Sequence, residues 1–303
     1  VRAIRPRQWI KNAVVFAPIL FHGELLNLSF FVKGLMAFFI FSFVAAAIYL
    51  FNDIKDLEKD RLHPLKKNRP IASGVVSVKL AATLAVMLLA VFIPLSFIVV
   101  GTYFGIIILS YLLIQVLYNL KLKEVIILDA LTIAIGFILR AFGGALAIPL
   151  SISSWLILAI TGVSLLLAFG KRRAERTLLE AKGLSSASTR AILKRYPDNL
   201  LDSMISMSAS FSIITYALFA FQISPQEEVS GLVAQIVPST LVGAKLLMLT
   251  IPVVIYGVGR YLYVIYEKRE GESPERVLLS DRPLLYTAII WGLVVVFIMS
   301  SFS

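Results

Sequence analysis

The chain of 303 residues has no cysteine, only two histidines, and 18 acidic residues against 29 lysines and arginines. Without cysteine there is no disulfide scaffold, which also suits a site facing the cytoplasm. His22 and His63 are too few for a histidine-built zinc site. Charge of either sign is scarce as well, at 16% of residues, while apolar types reach 59% and mean hydropathy is +0.88. That balance excludes disordered, collagen-like and coiled-coil chains. It also exceeds what one core and a wetted surface can absorb, so much of the length must face lipid. The net charge of +11 suggests nucleic acid, but the cations sit in short clusters between apolar runs, where membrane proteins carry their topology signal. No nucleic-acid partner is expected.

Apolar runs near 12–26, 29–51, 78–99, 102–118, 125–147, 153–169, 203–223, 235–258 and 284–302 predict nine transmembrane helices, the first being short and interrupted by Pro18. Their length, without two-residue alternation, excludes a lipid-spanning barrel. The expected fold is an all-α integral membrane bundle, residues 1–303 forming one polytopic domain. Alternating the sides places all but Lys33, Arg140 and Lys245 of the 29 cations on one face, a positive-inside pattern. Loops at about 52–77, 118–124, 170–200 and 259–283 then face the cytoplasm of a plasma membrane. The opposite side receives short turns and an acidic loop with Glu227 and Glu228. The first apolar run lacks a small-residue cleavage site, so no cleavable signal peptide is expected.

The segment Asn52-Asp53-Ile54-Lys55-Asp56-Leu57-Glu58-Lys59-Asp60 directly follows the second run. Asp53, Asp56 and Asp60 stand at i, i+3 and i+7, one face of a helix leaving the membrane. Three like charges on a stripe repel, and a divalent cation removes that repulsion. Hard oxygens with room for water suit Mg²⁺, which keeps waters and bridges to substrate phosphates. The alternative is a solvated helix whose lysines balance its acids. Next comes His63-Pro64-Leu65-Lys66-Lys67-Asn68-Arg69-Pro70-Ile71-Ala72-Ser73-Gly74. Its Lys66, Lys67 and Arg69 bring cationic donors beside the acids, as a metal–polyphosphate site requires, and they also serve the positive-inside pattern.

Gly170-Lys171-Arg172-Arg173-Ala174-Glu175-Arg176 ends the sixth run. It is no P-loop, because Leu165 stands where the upstream glycine belongs. Lys171, Arg172 and Glu175 read either as phosphate donors with an acid near the metal, or as interfacial snorkelling residues. Arg5-Pro6-Arg7-Gln8-Trp9-Ile10-Lys11-Asn12 reads as an interfacial anchor, with Lys11 and Asn12 able to reach an interior cavity. Tyr118 and Lys121 open the next cytoplasmic loop. Asp129 and Arg140 lie inside a predicted span, where ionisable groups are functional candidates, although a partner on another helix would explain Arg140 equally.

These motifs resemble the UbiA superfamily of intramembrane prenyltransferases, in which an aspartate-rich motif after the second helix holds a diphosphate through Mg²⁺. The resemblance covers nearly the whole chain. Most members carry a second acidic motif after the sixth helix, where Gly170-Lys171-Arg172-Arg173-Ala174-Glu175 stands instead. That departure is similar to the decaprenyl-phosphate phosphoribosyltransferase branch. The motifs from Arg5 to Asn12, Asn52 to Gly74, Arg140 to Gly144 and Gly170 to Glu175 match that branch in order.

The resemblance implies phosphoribosyl pyrophosphate as donor, polyprenyl phosphate as acceptor, and a product for cell-wall arabinan synthesis. On that basis Asp53, Asp56 and Asp60, with Asn52, are the expected catalytic and Mg²⁺-holding residues. Lys66, Lys67 and Arg69 would cover the pyrophosphate. Lys171, Arg172 and Glu175 would take the ribose 5-phosphate, and Lys11 the lipid phosphate. Asn12, Tyr118, Lys121 and Arg140 complete the expected substrate contacts. The lipid tail is expected in a groove of small residues such as Gly136, Gly143 and Gly144. A conventional prenyltransferase with a prenyl diphosphate donor and aromatic acceptor predicts a second acidic motif. A lipid transporter predicts ionisable residues spread through several spans, and a polybasic lipid-binding protein leaves Asp53, Asp56 and Asp60 unexplained.

Overall fold

The computed structural model describes residues 2–62, 66–148, 150–182, 196–223, 245–268 and 274–300. Among them every regular element is helical. Eight helices are long and apolar enough to cross a membrane. They are α1 (Leu28–Lys55), α2 (Val78–Leu95), α3 (Thr102–Leu120), α4 (Leu128–Ala147), α5 (Ser154–Lys182), α6 (Asp198–Ile223), α7 (Ile251–Tyr266) and α8 (Arg282–Ser300). A π turn, Ser96–Val100, extends α2, and a 3-10 turn, Leu246–Thr250, leads into α7.

Polar side chains define several helix starts. Asn27 Oδ1 accepts from the Ser29 N–H at 3.1 Å, and Ser77 Oγ from the Leu80 N–H at 3.2 Å. Asp281 Oδ1 accepts from the Leu284 N–H at 3.1 Å and so opens α8. Each supplies an acceptor that the first helical turn otherwise lacks. Near the end of α2, Pro94 cannot donate to the ladder, and the helix loosens into the π turn.

Helices α1 and α4 sit centrally. Phe41, Val44 and Leu50 of α1 are fully enclosed. By contrast Leu80, Val86, Met87 and Val91 of α2 are each more than half exposed, an outer surface suited to hydrocarbon rather than water. Helices α5 and α6 approach closely: a Cβ on Gly162 would come within 2.7 Å of Ser212 Cα. On α4 a Cβ at Gly144 would collide with the Val15 carbonyl. Gly144 therefore seats the N-terminal segment, and Gly143 lies under the Phe41 ring. The expectation that these two glycines form the lipid groove is corrected here, since both are spent on close packing.

The first apolar run, near 12–26, is not a conventional helix. A 3-10 helix covers Pro6–Phe16, an α-helix Ala17–Phe21 and a 3-10 turn Glu24–Leu26. At about 2.0 Å per 3-10 residue and 1.5 Å per α residue, Pro6 to Phe21 extends roughly 30 Å, against roughly 24 Å if wholly α-helical. The 3-10 winding lengthens the segment, whose first turns carry Arg7, Gln8 and Lys11.

Helix α5 also differs from expectation, continuing well past residue 169. Arg173 reaches Asp202 at 3.0 Å and Asp198 at 3.2 Å, and Arg176 reaches Asp198 at 2.8 Å. These bonds to α6 hold the charged turns in helical form after the apolar run has ended. Helix α7 extends to Tyr266, and a short helix at Pro274–Ser280 occupies part of the expected loop at 259–283. His63, Pro64, Leu65, Glu227, Glu228, residues 183–195 of the expected third cytoplasmic loop and residues 235–244 of the eighth run lie outside the described residues.

Candidate active site

A cavity of about 530 Å³ opens among the N-terminal segment, α1, α3, α4, α5 and α7, a volume typical of small-ligand sites. Its walls follow helical periodicity. Tyr49, Asn52 and Asp53 come from one face of α1 with Asp56 just past its end, and Tyr111, Gln115, Tyr118 and Asn119 from one face of α3. From the N-terminal segment come Arg5, Gln8, Lys11 and Val14, spaced by three. That spacing spreads around an α-helix but eclipses in a 3-10 helix of three residues per turn. The opposite wall is apolar, with Ile133 and Phe137 of α4 and Val163, Leu166 and Leu167 of α5.

At the polar end α1 stops at Lys55. Asp56 takes φ −92° and ψ 11°, and a short helix resumes at Leu57–Leu62. Past the break Asp60 returns beside Asp53, while Asp56 turns to a different partner. Arg69 Nη1 bridges Asp53 Oδ1 at 3.0 Å and Asp60 Oδ2 at 2.5 Å, while Lys123 holds Asp56 at 3.3 Å. Arg5 also donates to Asp53 Oδ1, from a left-handed backbone at φ 50°. That conformation is uncommon for a non-glycine residue and clusters at functional sites. Burial pushes the Asp60 carboxyl above the usual range, although Arg69 pulls it down.

Among the described residues no three acids converge on one cation position. Asp53 and Asp56 line the cavity and Asp60 does not, so the expectation of Asp60 as a third ligand is corrected: it lies outside the lining, joined to Asp53 through Arg69. Two carboxylates and the Asn52 amide on the wall fit a hard cation that keeps waters and completes its shell with substrate phosphate. The donor set is therefore right for Mg²⁺ arriving with a diphosphate.

On the facing wall Lys171 lines the cavity, in line with Leu167 and Val163, one and two turns earlier. Arg172 is rotated about 100° from it and is fully enclosed. Its Nε donates to Asp129 Oδ2 at 2.5 Å, Nη1 to Glu175 at 2.5 Å, and Nη2 to the Tyr118 hydroxyl at 3.1 Å. Tyr196 donates to Asp129 Oδ1 at 2.5 Å and accepts from the Ile127 N–H at 2.7 Å. Burial, reinforced by Asp129, holds the Tyr196 phenol well above its ordinary range, so it stays a donor. Ile127 stands at φ 70°, costly for a β-branched residue, and this network holds it there. Arg172 and Glu175, expected as phosphate contacts, therefore stand behind the wall, where they orient Tyr118.

Deeper, Arg140 is 4% exposed and lines the cavity. Its Nε donates to Asn12 Oδ1 at 2.6 Å, Nη1 to the Gly136 carbonyl at 2.7 Å, and Nη2 to the Tyr111 hydroxyl at 2.8 Å. Asn12 is buried behind it and donates to Ser42 at 2.9 Å. Of the other expected residues, Lys11 lines the cavity, while Lys66, Lys67 and Lys121 do not, the last two being exposed. Sequence reasoning missed Gln8, Tyr49, Tyr111 and Gln115, and took Arg5 for an anchor. The three-residue spacing of Arg5, Gln8 and Lys11 was the available signal.

Lipid-facing helices closed around one cavity, polar at one end and apolar along one wall, define a membrane-embedded enzyme. The sequence profile of the UbiA prenyltransferase family matches residues 13–172. The chain belongs to that family and is a transferase. It is 35% identical over 294 residues to a protein named decaprenyl-phosphate phosphoribosyltransferase from Corynebacterium glutamicum, covering 96% of this chain and 83% of that one. A protein of the same name from Mycolicibacterium smegmatis is 33% identical, over 96% and 89% of the two chains. A UbiA homolog from Archaeoglobus fulgidus, bound to GPP and Mg²⁺, superposes with a TM-score of 0.67 at 17% identity, covering 99% of this chain and 98% of that one. The last likeness concerns the fold.

Proposed function

We propose that this transferase moves the 5-phosphoribosyl group from phosphoribosyl pyrophosphate to a polyprenyl phosphate of decaprenyl type, releasing pyrophosphate. The observation that carries the reading is Lys171 on the wall facing Asp53 and Asp56. A conventional prenyl donor has one diphosphate and needs anion-handling groups at one place. Phosphoribosyl pyrophosphate has a diphosphate and a separate 5-phosphate, and this cavity offers acids at one wall and a cation at the other. The names and identities of the bacterial relatives support the same substrates.

Asp53, Asp56 and Asn52 are the residues placed to hold Mg²⁺, which when bound neutralises the pyrophosphate leaving group. Arg69 and Arg5, beside those carboxylates, are placed to donate to the departing phosphates. Lys171 receives the 5-phosphate, and Tyr118, fixed by Arg172, offers its hydroxyl alongside. The lipid phosphate oxygen attacks C1 as the C1–O bond to pyrophosphate breaks, the electron pair leaving with pyrophosphate. The nucleophile is already an anion, so no general base is required. Displacement opposite the leaving group inverts C1, through an oxocarbenium-like transition state. The apolar wall of Ile133, Phe137 and Leu166 takes the start of the lipid chain. The basic end of the bundle faces the cytoplasm, where the water-soluble donor is found, and the product serves cell-wall arabinan synthesis.

The test uses purified protein in detergent with Mg²⁺, a short polyprenyl phosphate and radiolabelled phosphoribosyl pyrophosphate. Label should pass into the organic phase and stay aqueous with EDTA. Absence of transfer, together with activity on a prenyl diphosphate and an aromatic acceptor, would refute the reading.

A further inference from the structure

Arg140 is a buried cation among neutral partners. Its hydrogen bonds go to an amide, a carbonyl and a phenol, and its guanidinium lies 4.7 Å from the Tyr111 ring centroid and 5.3 Å from that of Phe137. Among the described residues no carboxylate pairs with it, unlike Arg172, which meets two. A charge taken out of water without a counter-charge is costly, and it is tolerated where a ligand supplies the opposite sign.

The donors confirm which way the deficit points. A guanidinium has five N–H groups, and the three bonds above leave two. The Tyr111 hydroxyl accepts from Arg140, and among the described residues its own proton meets no acceptor. The Gln115 amide nitrogen lies beside Gly136, whose Cβ position is 3.4 Å from it and 3.3 Å from Arg140 Nη1. All three side chains line the cavity. Unused N–H groups of Arg140, the Tyr111 hydroxyl and the Gln115 amide therefore stand together on the lining, with no anion among the described residues to meet them.

We propose that Arg140, Tyr111 and Gln115 form the subsite for the phosphate monoester of the lipid acceptor. This rests on the phosphoribosyl-transfer reading and assigns its second substrate a place. Along α3, Tyr111 lies seven residues before Tyr118, about 10 Å at 1.5 Å per residue, so this subsite is separate from the Lys171–Tyr118 end. Ile133 and Phe137 adjoin it on α4, giving the first isoprene units an apolar wall. A phosphate held here approaches C1 from below while pyrophosphate leaves toward Asp53 and Asp56, the in-line arrangement that inversion demands.

The test separates lipid binding from transfer. Thermal melting of the detergent-solubilised protein is followed in EDTA with farnesyl phosphate, farnesol or phosphoribosyl pyrophosphate. Farnesyl phosphate should stabilise the wild type and farnesol should not. Tyr111→Phe keeps the ring and should weaken farnesyl phosphate binding about tenfold, the worth of one charge-assisted hydrogen bond. In the transfer assay it should raise the lipid KM by a similar factor and leave the donor KM within about twofold. Arg140→Lys should do the same more strongly. Unchanged lipid binding in both variants overturns the proposal. So does a rise confined to the donor KM, which would put the 5-phosphate here. Lipid binding that depends on Tyr111 in a protein without phosphoribosyl transfer would refute the transfer reading and leave the subsite standing.

Discussion

Asp129→Asn is the most informative single perturbation of the scaffold behind the site. Asp129 is fully enclosed and accepts from Arg172 and Tyr196, each at 2.5 Å. Removing its charge leaves Arg172 buried with Glu175 as its remaining acid, at 13% side-chain exposure. Breaking a buried ion pair costs about 3–5 kcal/mol, and the surviving Glu175 contact places this case near 3 kcal/mol. That is roughly a hundredfold in the folded-to-unfolded ratio. The assay is equilibrium unfolding in mixed micelles, repeated for Arg172→Met and for the double variant. Arg172→Met strands two carboxylates and should cost more than Asp129→Asn. The double variant should cost less than the sum, with a coupling of about 2 kcal/mol. Asp129→Asn within about 0.5 kcal/mol of wild type, or strict additivity, would refute the account of Arg172 as an internal clamp.

Asp53→Asn and Asp56→Asn should each abolish turnover, with the melting temperature close to wild type for the half-buried Asp56 and lowered for Asp53, whose charge pairs with Arg5 and Arg69; near-normal rates would remove the metal-holding role. Lys171→Ala should raise the KM for phosphoribosyl pyrophosphate by tenfold or more with little change for the lipid, and initial-rate kinetics varying each substrate will show it. Asp281 predicts a pH dependence. Bonds from Arg260 at 3.0 and 2.9 Å, from Lys268 at 2.7 Å and from the Leu284 N–H hold its carboxyl well below the usual range. A lowered pKa contributes stability that is present above about pH 4 and lost as pH falls further. Melting followed from pH 7 down to 3 should therefore fall more steeply in the wild type than in Asp281→Asn, and parallel curves would exclude this linkage.

The bundle was legible in the sequence because lipid leaves the backbone few choices: long apolar runs must be helices. Helix ends were less legible, since hydropathy marks where lipid stops and not where the helix stops. Helix α5 runs on through Arg173 and Arg176 because Asp198 and Asp202 on α6 meet them, partners that no local pattern announces. The aspartate motif was readable by spacing, but the break at Asp56 separated Asp60 from the cavity. Arg172 and Lys171 are neighbours in one basic cluster. Only the 100° step between them, and the presence of Asp129 on α4, decides that one is enclosed and the other faces the site. Arg5 and Gln8 were hidden by a wrong period, since a 3-10 helix aligns every third residue.

The electrostatics of the polar end follow from these placements. Asp53 and Asp60 are nearly enclosed, at 3% and 5% side-chain exposure, and such carboxylates are costly without cations. Arg69 and Arg5 supply them within the chain itself, so the site is a neutralised cluster before any substrate arrives. On the proposed reading a metal–diphosphate complex exchanges one neutralisation for another. Asp53 would serve the metal while Asp60 keeps its bond to Arg69, and the two arginines, at 28% and 20% exposure, would meet the phosphate oxygens. Neither charge is left alone at any stage, so binding need not repay the full desolvation of either. The inner end differs because Arg140 meets no acid among the described residues, and on the proposed reading the acceptor's own charge would complete it.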